Sequence, residues 1–177
     1  MNIFYKKLFK FSVILLVLCI VSLFIFQRTE RINRFKSAIP EKIKVNGVVL
    51  QGEDITPLIF AFIFPIDSCG GGIFKLSKST LKNIELEGLS FFEDATKSRS
   101  RKHHPRTWNW KKTPVPSTWT SEGAWIGLAC ISSSNTNKLI RKITKTVESP
   151  GSYYAGSPNS TLLVLPKLGL VVYDYSD

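Results

Sequence analysis

Histidine and cysteine are scarce in this chain, and the shortage removes whole classes of chemistry. The 177 residues include two histidines and three cysteines. His103 and His104 are adjacent, so their side chains diverge in most backbones. Neither an HExxH motif nor a pair of CxxC motifs is present, which leaves no zinc-type spacing. Asp67, Asp174 and Asp177 do not follow calcium-loop spacing. No metal or cofactor is expected, and there is no internal repeat or low-complexity tract. No motif names a reaction.

Acidic residues are also few, 13 against 24 lysines and arginines. The imbalance is uneven. Residues 1–40 hold seven basic residues and one acid, and residues 41–177 hold 17 and 12. Seven of those 17 fall between Lys97 and Lys112, a stretch without any acid, so the rest of that region is slightly negative. Local basicity of this kind points to a partner more than a net charge does.

What is present in quantity is apolar sequence at the start. Lys6, Lys7 and Lys10 precede an unbroken run from Phe11 to Phe26, and Arg28, Arg31 and Arg34 follow it. As a helix the run spans about 24 Å, slightly short of a hydrocarbon core of about 30 Å. Leu8 and Phe9 extend it if Lys10 snorkels to the interface. A cleaved signal peptide needs small residues at −3 and −1. Ser37 and Ala38 are preceded at −3 by Phe35 and Lys36, Ser22 by Ile20 and Cys19 by Val17. Leu18 before Cys19 argues against lipid attachment there. The expectation is an uncleaved single-pass signal-anchor. Basic residues on the C-terminal side weakly oppose an exported domain, but the short N-terminal tail favours it. The organisation expected is a basic tail at 1–10, a transmembrane helix at 11–27, a basic juxtamembrane stalk at 28–40 ended by Pro40, and one extracytoplasmic domain at 41–177. A bacterial inner membrane with a periplasmic domain is the expected location.

Within that domain, Asn46-Gly47 suits a type I′ turn and predicts a short hairpin over Lys42 to Leu50. Pro57 to Pro65 (PLIFAFIFP) reads as a strand buried on both faces. Asp67 to Gly72 reads as a glycine-rich turn. Ser79 is placed to cap a helix from Thr80 to about Arg99, with Leu81, Ile84, Gly88, Phe91, Phe92 and Ala95 on one face. Residues 97–123 read as irregular, and Ala124 to Ile131 (AWIGLACI) as a buried strand. A helix follows from Asn137 to Glu148, its Leu139, Ile140, Ile143 and Val147 apolar and its Lys138, Arg141, Lys142 and Lys145 a solvated face. Ser152 to Ala155 is a short strand, and Thr161–Leu165 with Leu170–Tyr175 form a hairpin across Pro166–Gly169. The fold class is α+β: a transmembrane helix, then a small, mostly antiparallel sheet packed with two helices, both drawn on one face.

Three readings of function follow. Lys97, Arg99, Arg101, Lys102, Arg106, Lys111 and Lys112 interleave with Trp108 and Trp110, a composition that meets acidic protein, anionic envelope material or lipid. The two indoles are expected at the surface, and Trp119 and Trp125 in the core. This favours a binding domain, not an enzyme. Cys69 beside three glycines is the alternative, a nucleophile with an oxyanion nest and His103 or His104 as base. Against it stands a disulfide between Cys69 and Cys130, which an exported domain permits. A cytosol-facing basic domain binding nucleic acid is the third. Tyr173 and Tyr175 share a strand face and could line a groove or equally be sheet surface or core.

Overall fold

The computed structural model describes residues 3–54, 69–100, 107–120, 126–131, 137–157 and 159–176. The chain divides into two compact units, Met1–Arg34 and Phe35–Asp177. The first is a stretch of helix α1 (Ile3–Ala38). Its apolar side chains from Phe9 to Phe26 are exposed among the described residues. Among the described residues, this is the one helix long and apolar enough to cross a membrane.

The second unit begins inside the stretch expected to be a stalk. Phe35, Ala38, Ile39 and Pro40 are buried, so these residues belong to the domain core and not to a solvated linker. The expected stalk is corrected on that point. Ile32, Phe35 and Ile39 stand at helical spacing; Phe35 and Ile39 are buried, Phe35 against Tyr173 and Tyr175.

Six antiparallel strands form one sheet in the order β1-β2-β6-β5-β4-β3. They are β1 (Val45–Asp54), β2 (Cys69–Leu76), β3 (Lys111–Lys112), β4 (Tyr153–Ser157), β5 (Ser160–Leu165) and β6 (Leu170–Ser176). The helices of this unit among the described residues are α2 (Lys78–Glu87), α3 (Ser117–Thr120), α4 (Ile126–Ile131) and α5 (Asn137–Val147). The mixed α+β architecture is the one expected, and the β5–β6 hairpin turns at Gly169 in the left-handed region.

The layering differs from the expected one. Leu162, Leu163, Val164 and Leu165 on β5 and Val171, Val172 and Tyr173 on β6 are all fully buried. Central strands apolar on both sides need cover on both sides. Register places Ile73, Val172, Leu163 and Tyr154 on one face, where Leu128 and Ile131 of α4 and Ile143 and Val147 of α5 join them. Phe74, Tyr173, Val171 and Tyr153 point the other way. Phe35 lies 6.4 Å from Tyr173 there, and Phe92 lies 4.6 Å from Tyr153. The sheet is therefore the middle of three layers.

Four local expectations are corrected. Asn46-Gly47 makes an irregular step inside β1, not a hairpin turn, because β1 pairs with β2 along its length. The glycines at 70–72 lie inside β2, not in a turn. A Cβ on Gly71 would strike the Tyr173 carbonyl, and one on Gly52 opposite it would sit 2.7 Å from Ile131. These glycines permit close packing. Helix α2 is capped by Ser77, whose Oγ accepts from the Thr80 amide at 3.1 Å, and it ends at Gly88 with φ 61°, a conformation that favours glycine. A 3₁₀ turn, Gly88–Phe92, then buries Phe91 and Phe92. Finally, Ile126–Ile131 is helix, not strand. A short apolar run does not tell the two apart, and contact with β1, β2 and β6 decides it. The expected strand at Pro57–Pro65 lies outside the described residues.

Candidate functional site

The basic segment is braced at its base. Lys97 bridges Thr107, and Ser98 bridges Pro40. The Ser100 amide donates to the Ser37 carbonyl at 3.3 Å. Trp108 then turns inward, and its amide donates to Thr96. The segment is thus fastened to residues 37–40, just beyond the end of the apolar run in sequence.

The indoles are not at the surface, which corrects the expectation for Trp108 and Trp110. Trp108 is fully buried, and its Nε1–H donates to the Ala38 carbonyl at 3.0 Å. Trp110 is buried as well, donates to the Ala95 carbonyl at 2.7 Å and lies tilted with its ring 4.5 Å from that of Phe92. Each ring has an apolar wall to fill and a carbonyl for its single donor, which is how tryptophan is held in a core. Trp119, expected in the core, is half-buried 5.2 Å from Tyr154. Trp125 lies outside the described residues.

The cations divide by role. The Arg99 guanidinium donates to the carbonyls of Ile43 and Pro40. Burial lowers its pKa and the Glu41 carboxylate partly opposes this. Arg99 is a structural strut. Lys97, Lys111 and Lys112 are exposed, the last two on edge strand β3. Arg101, Lys102 and Arg106 lie outside the described residues, as do His103 and His104.

Cys69 and Cys130 are joined by a disulfide with 6.1 Å between Cα atoms, fastening α4 to the start of β2. The sulfur is thus not a free thiolate. The amides of Gly70 to Gly72 lie in a strand paired on both sides, so they do not form the nest a nucleophile there would need. No group of three or more His, Cys, Asp or Glu suited to a metal is found among the described residues.

One feature went unread in the sequence. Asp174 is buried on the α4 side of the sheet, between Gly71 on β2 and Thr161 on β5. Its Oδ1 has no hydrogen-bond partner among the described residues. Burial pushes its pKa up to about 7. The period-2 pattern of β6 signals this, since Asp174 shares a phase with Val172. Tyr173 and Tyr175, for which groove, sheet surface and core are all open in the sequence, pack 6.4 and 6.2 Å from Phe35. The outer face of α5 is solvated, as its periodicity predicts. Lys138, Arg141, Lys142 and Lys145 are all exposed there, and no ion pair engages them among the described residues.

Comparison of the chain with protein-family models, with curated proteins and with solved structures found no match.

Proposed function

We propose that the chain is a single-pass membrane protein whose α+β domain binds an acidic protein or an anionic envelope component through the basic segment Lys97–Lys112. The observation that carries this reading is the bracing of that segment. Hydrogen bonds to Ser37, Ala38, Pro40 and Ile43 fix its base while Lys97, Lys111 and Lys112 remain exposed. Cations held on a rigid frame lose less entropy on binding than cations on a free loop.

The disulfide supports a domain outside the cytosol, in the periplasm if the source is bacterial, because such bonds persist in oxidising compartments. It also weakens the cysteine-enzyme alternative, which requires a thiolate at Cys69. The nucleic-acid alternative loses its stacking platform with the burial of Trp108 and Trp110.

The test replaces Lys97, Arg101, Lys102, Arg106, Lys111 and Lys112 with Gln and leaves Arg99 in place. Full-length protein in neutral-lipid nanodiscs is applied to immobilised polyglutamate at rising salt. The variant is expected to elute earlier and with a flatter salt dependence. Identical elution of the two proteins refutes the assignment.

A further inference from the structure

The four cations of α5 stand at i, i+3, i+4 and i+7, so they form one stripe about 10 Å long on a helix rising about 1.5 Å per residue. The other side of the helix is fully used. Ile143 and Val147 are buried in the core, and Leu139 and Ile140 pack against it. The helix cannot roll, and the stripe faces outward permanently. Like charges three and four residues apart repel, and four such pairs occur here: Lys138–Arg141, Lys138–Lys142, Arg141–Lys145 and Lys142–Lys145. Among the described residues no ion pair engages any of the four, and the nearest acid along the chain, Glu148, stands three residues beyond Lys145 at the end of the stripe.

Three kinds of anionic partner can be weighed. A bilayer surface is bound by amphipathic helices through apolar side chains that enter the interface. Here those side chains are already in the core. Single-stranded nucleic acid needs exposed rings to stack on, and α5 carries none. A helix bearing carboxylates at the same repeat matches the stripe in both sign and spacing. We infer that the Lys138–Arg141–Lys142–Lys145 stripe is a docking surface for an acidic helical segment of a partner protein. This surface is separate from the basic segment and does not depend on the reading of that segment.

The experiment uses the full-length protein in neutral-lipid nanodiscs. The probe is a synthetic helical peptide with glutamates at i, i+3, i+4 and i+7 over two repeats. A second peptide of the same composition has its glutamates distributed around the helix. The variant K138Q/R141Q/K142Q/K145Q keeps helix propensity and leaves the buried face intact, and its fold is checked by circular dichroism. The striped peptide is expected to bind the wild type at least tenfold more tightly than it binds the variant, and more tightly than the redistributed peptide does. The six-site variant of the basic segment should retain that binding. Equal affinity for the two peptides, or an unchanged affinity in the α5 variant, overturns the inference. Displacement of the bound peptide by vesicles of anionic lipid or by single-stranded DNA at equal charge concentration overturns it as well, and assigns the stripe to that partner.

Discussion

The indole nitrogen of Trp108 lies 3.0 Å from the carbonyl oxygen of Ala38, 70 residues away in sequence. That bond closes the last turn of α1 onto the segment that carries the basic residues. Ala38 and Trp108 are both fully buried, so neither group can turn to water instead. Trp108→Ala removes a large ring and leaves a carbonyl without its donor. A loss of about 3–5 kcal/mol is expected. Trp108→Phe keeps most of the packing and should cost about 1–3 kcal/mol. Denaturant unfolding of the domain checks both. Equal effects of the two substitutions would show that the bond contributes nothing beyond the ring.

Asp174 predicts an unusual pH dependence. Its pKa rises from the ordinary 3.8 to about 7 in the folded protein, owing to burial. The folded state therefore binds its proton more tightly than the unfolded chain does. The penalty of a buried charge is full above pH 7 and disappears as pH falls towards 4. The Asp174→Asn variant should be more stable than wild type at pH 8, by at most about 4 kcal/mol, and the difference should shrink as pH drops to 4. Unfolding midpoints of the two proteins across that range provide the measurement. A constant difference would mean that Asp174 does not titrate in this window.

The disulfide closes a loop with a sequence separation of 61. Chain-entropy arguments put its contribution at about 4 kcal/mol. The Cys69→Ala/Cys130→Ala double variant should lose about 2–4 kcal/mol, and reduction of the wild type should lower its unfolding midpoint similarly. Mass-tagging of thiols in intact cells, on a protein lacking Cys19, measures the bond where the protein resides. Two free thiols there would place the domain in a reducing compartment and remove the support for export.

Gly71 faces the Tyr173 carbonyl so closely that any side chain must displace backbone. Gly71→Ala is expected to destabilise the domain by about 1–3 kcal/mol, the usual cost of overpacking. Gly47, with open space around its Cβ position, is the control and should accept alanine with little loss. A tolerant Gly71 would mean that β2 and β6 do not pair as described.

Some of this structure is legible in local sequence. The Phe11–Phe26 run announces a membrane-length helix because length and apolarity suffice for that. Helix α5 is readable because four apolar residues recur at helical spacing between capping residues and Pro150. The β5–β6 hairpin is readable because two apolar runs flank Pro166 and Gly169. The exposed cations on α5 are implied by the same periodicity, since a buried stripe leaves the opposite stripe outside.

Other features depend on atoms distant in sequence. Three glycines in a row look like a turn unless the space beside them is known to be filled by Tyr173, Asp174, Phe74 and Phe35. AWIGLACI has no periodicity to separate helix from strand, and the sheet beneath it made the choice. Trp108 and Trp110 sit among charges in sequence, yet the burial of a ring is decided by whether a wall and an acceptor exist for it. Ala38, Ala95 and Phe92 supply these, and no local pattern encodes them. The sequence by itself determined the long apolar helix, the amphipathic helix and the alternation of apolar residues, because these arise from spacing along one chain. The tertiary structure alone decided the strand through the glycines, the two covered faces of the sheet and the buried charge of Asp174, because each is set by what packs against it.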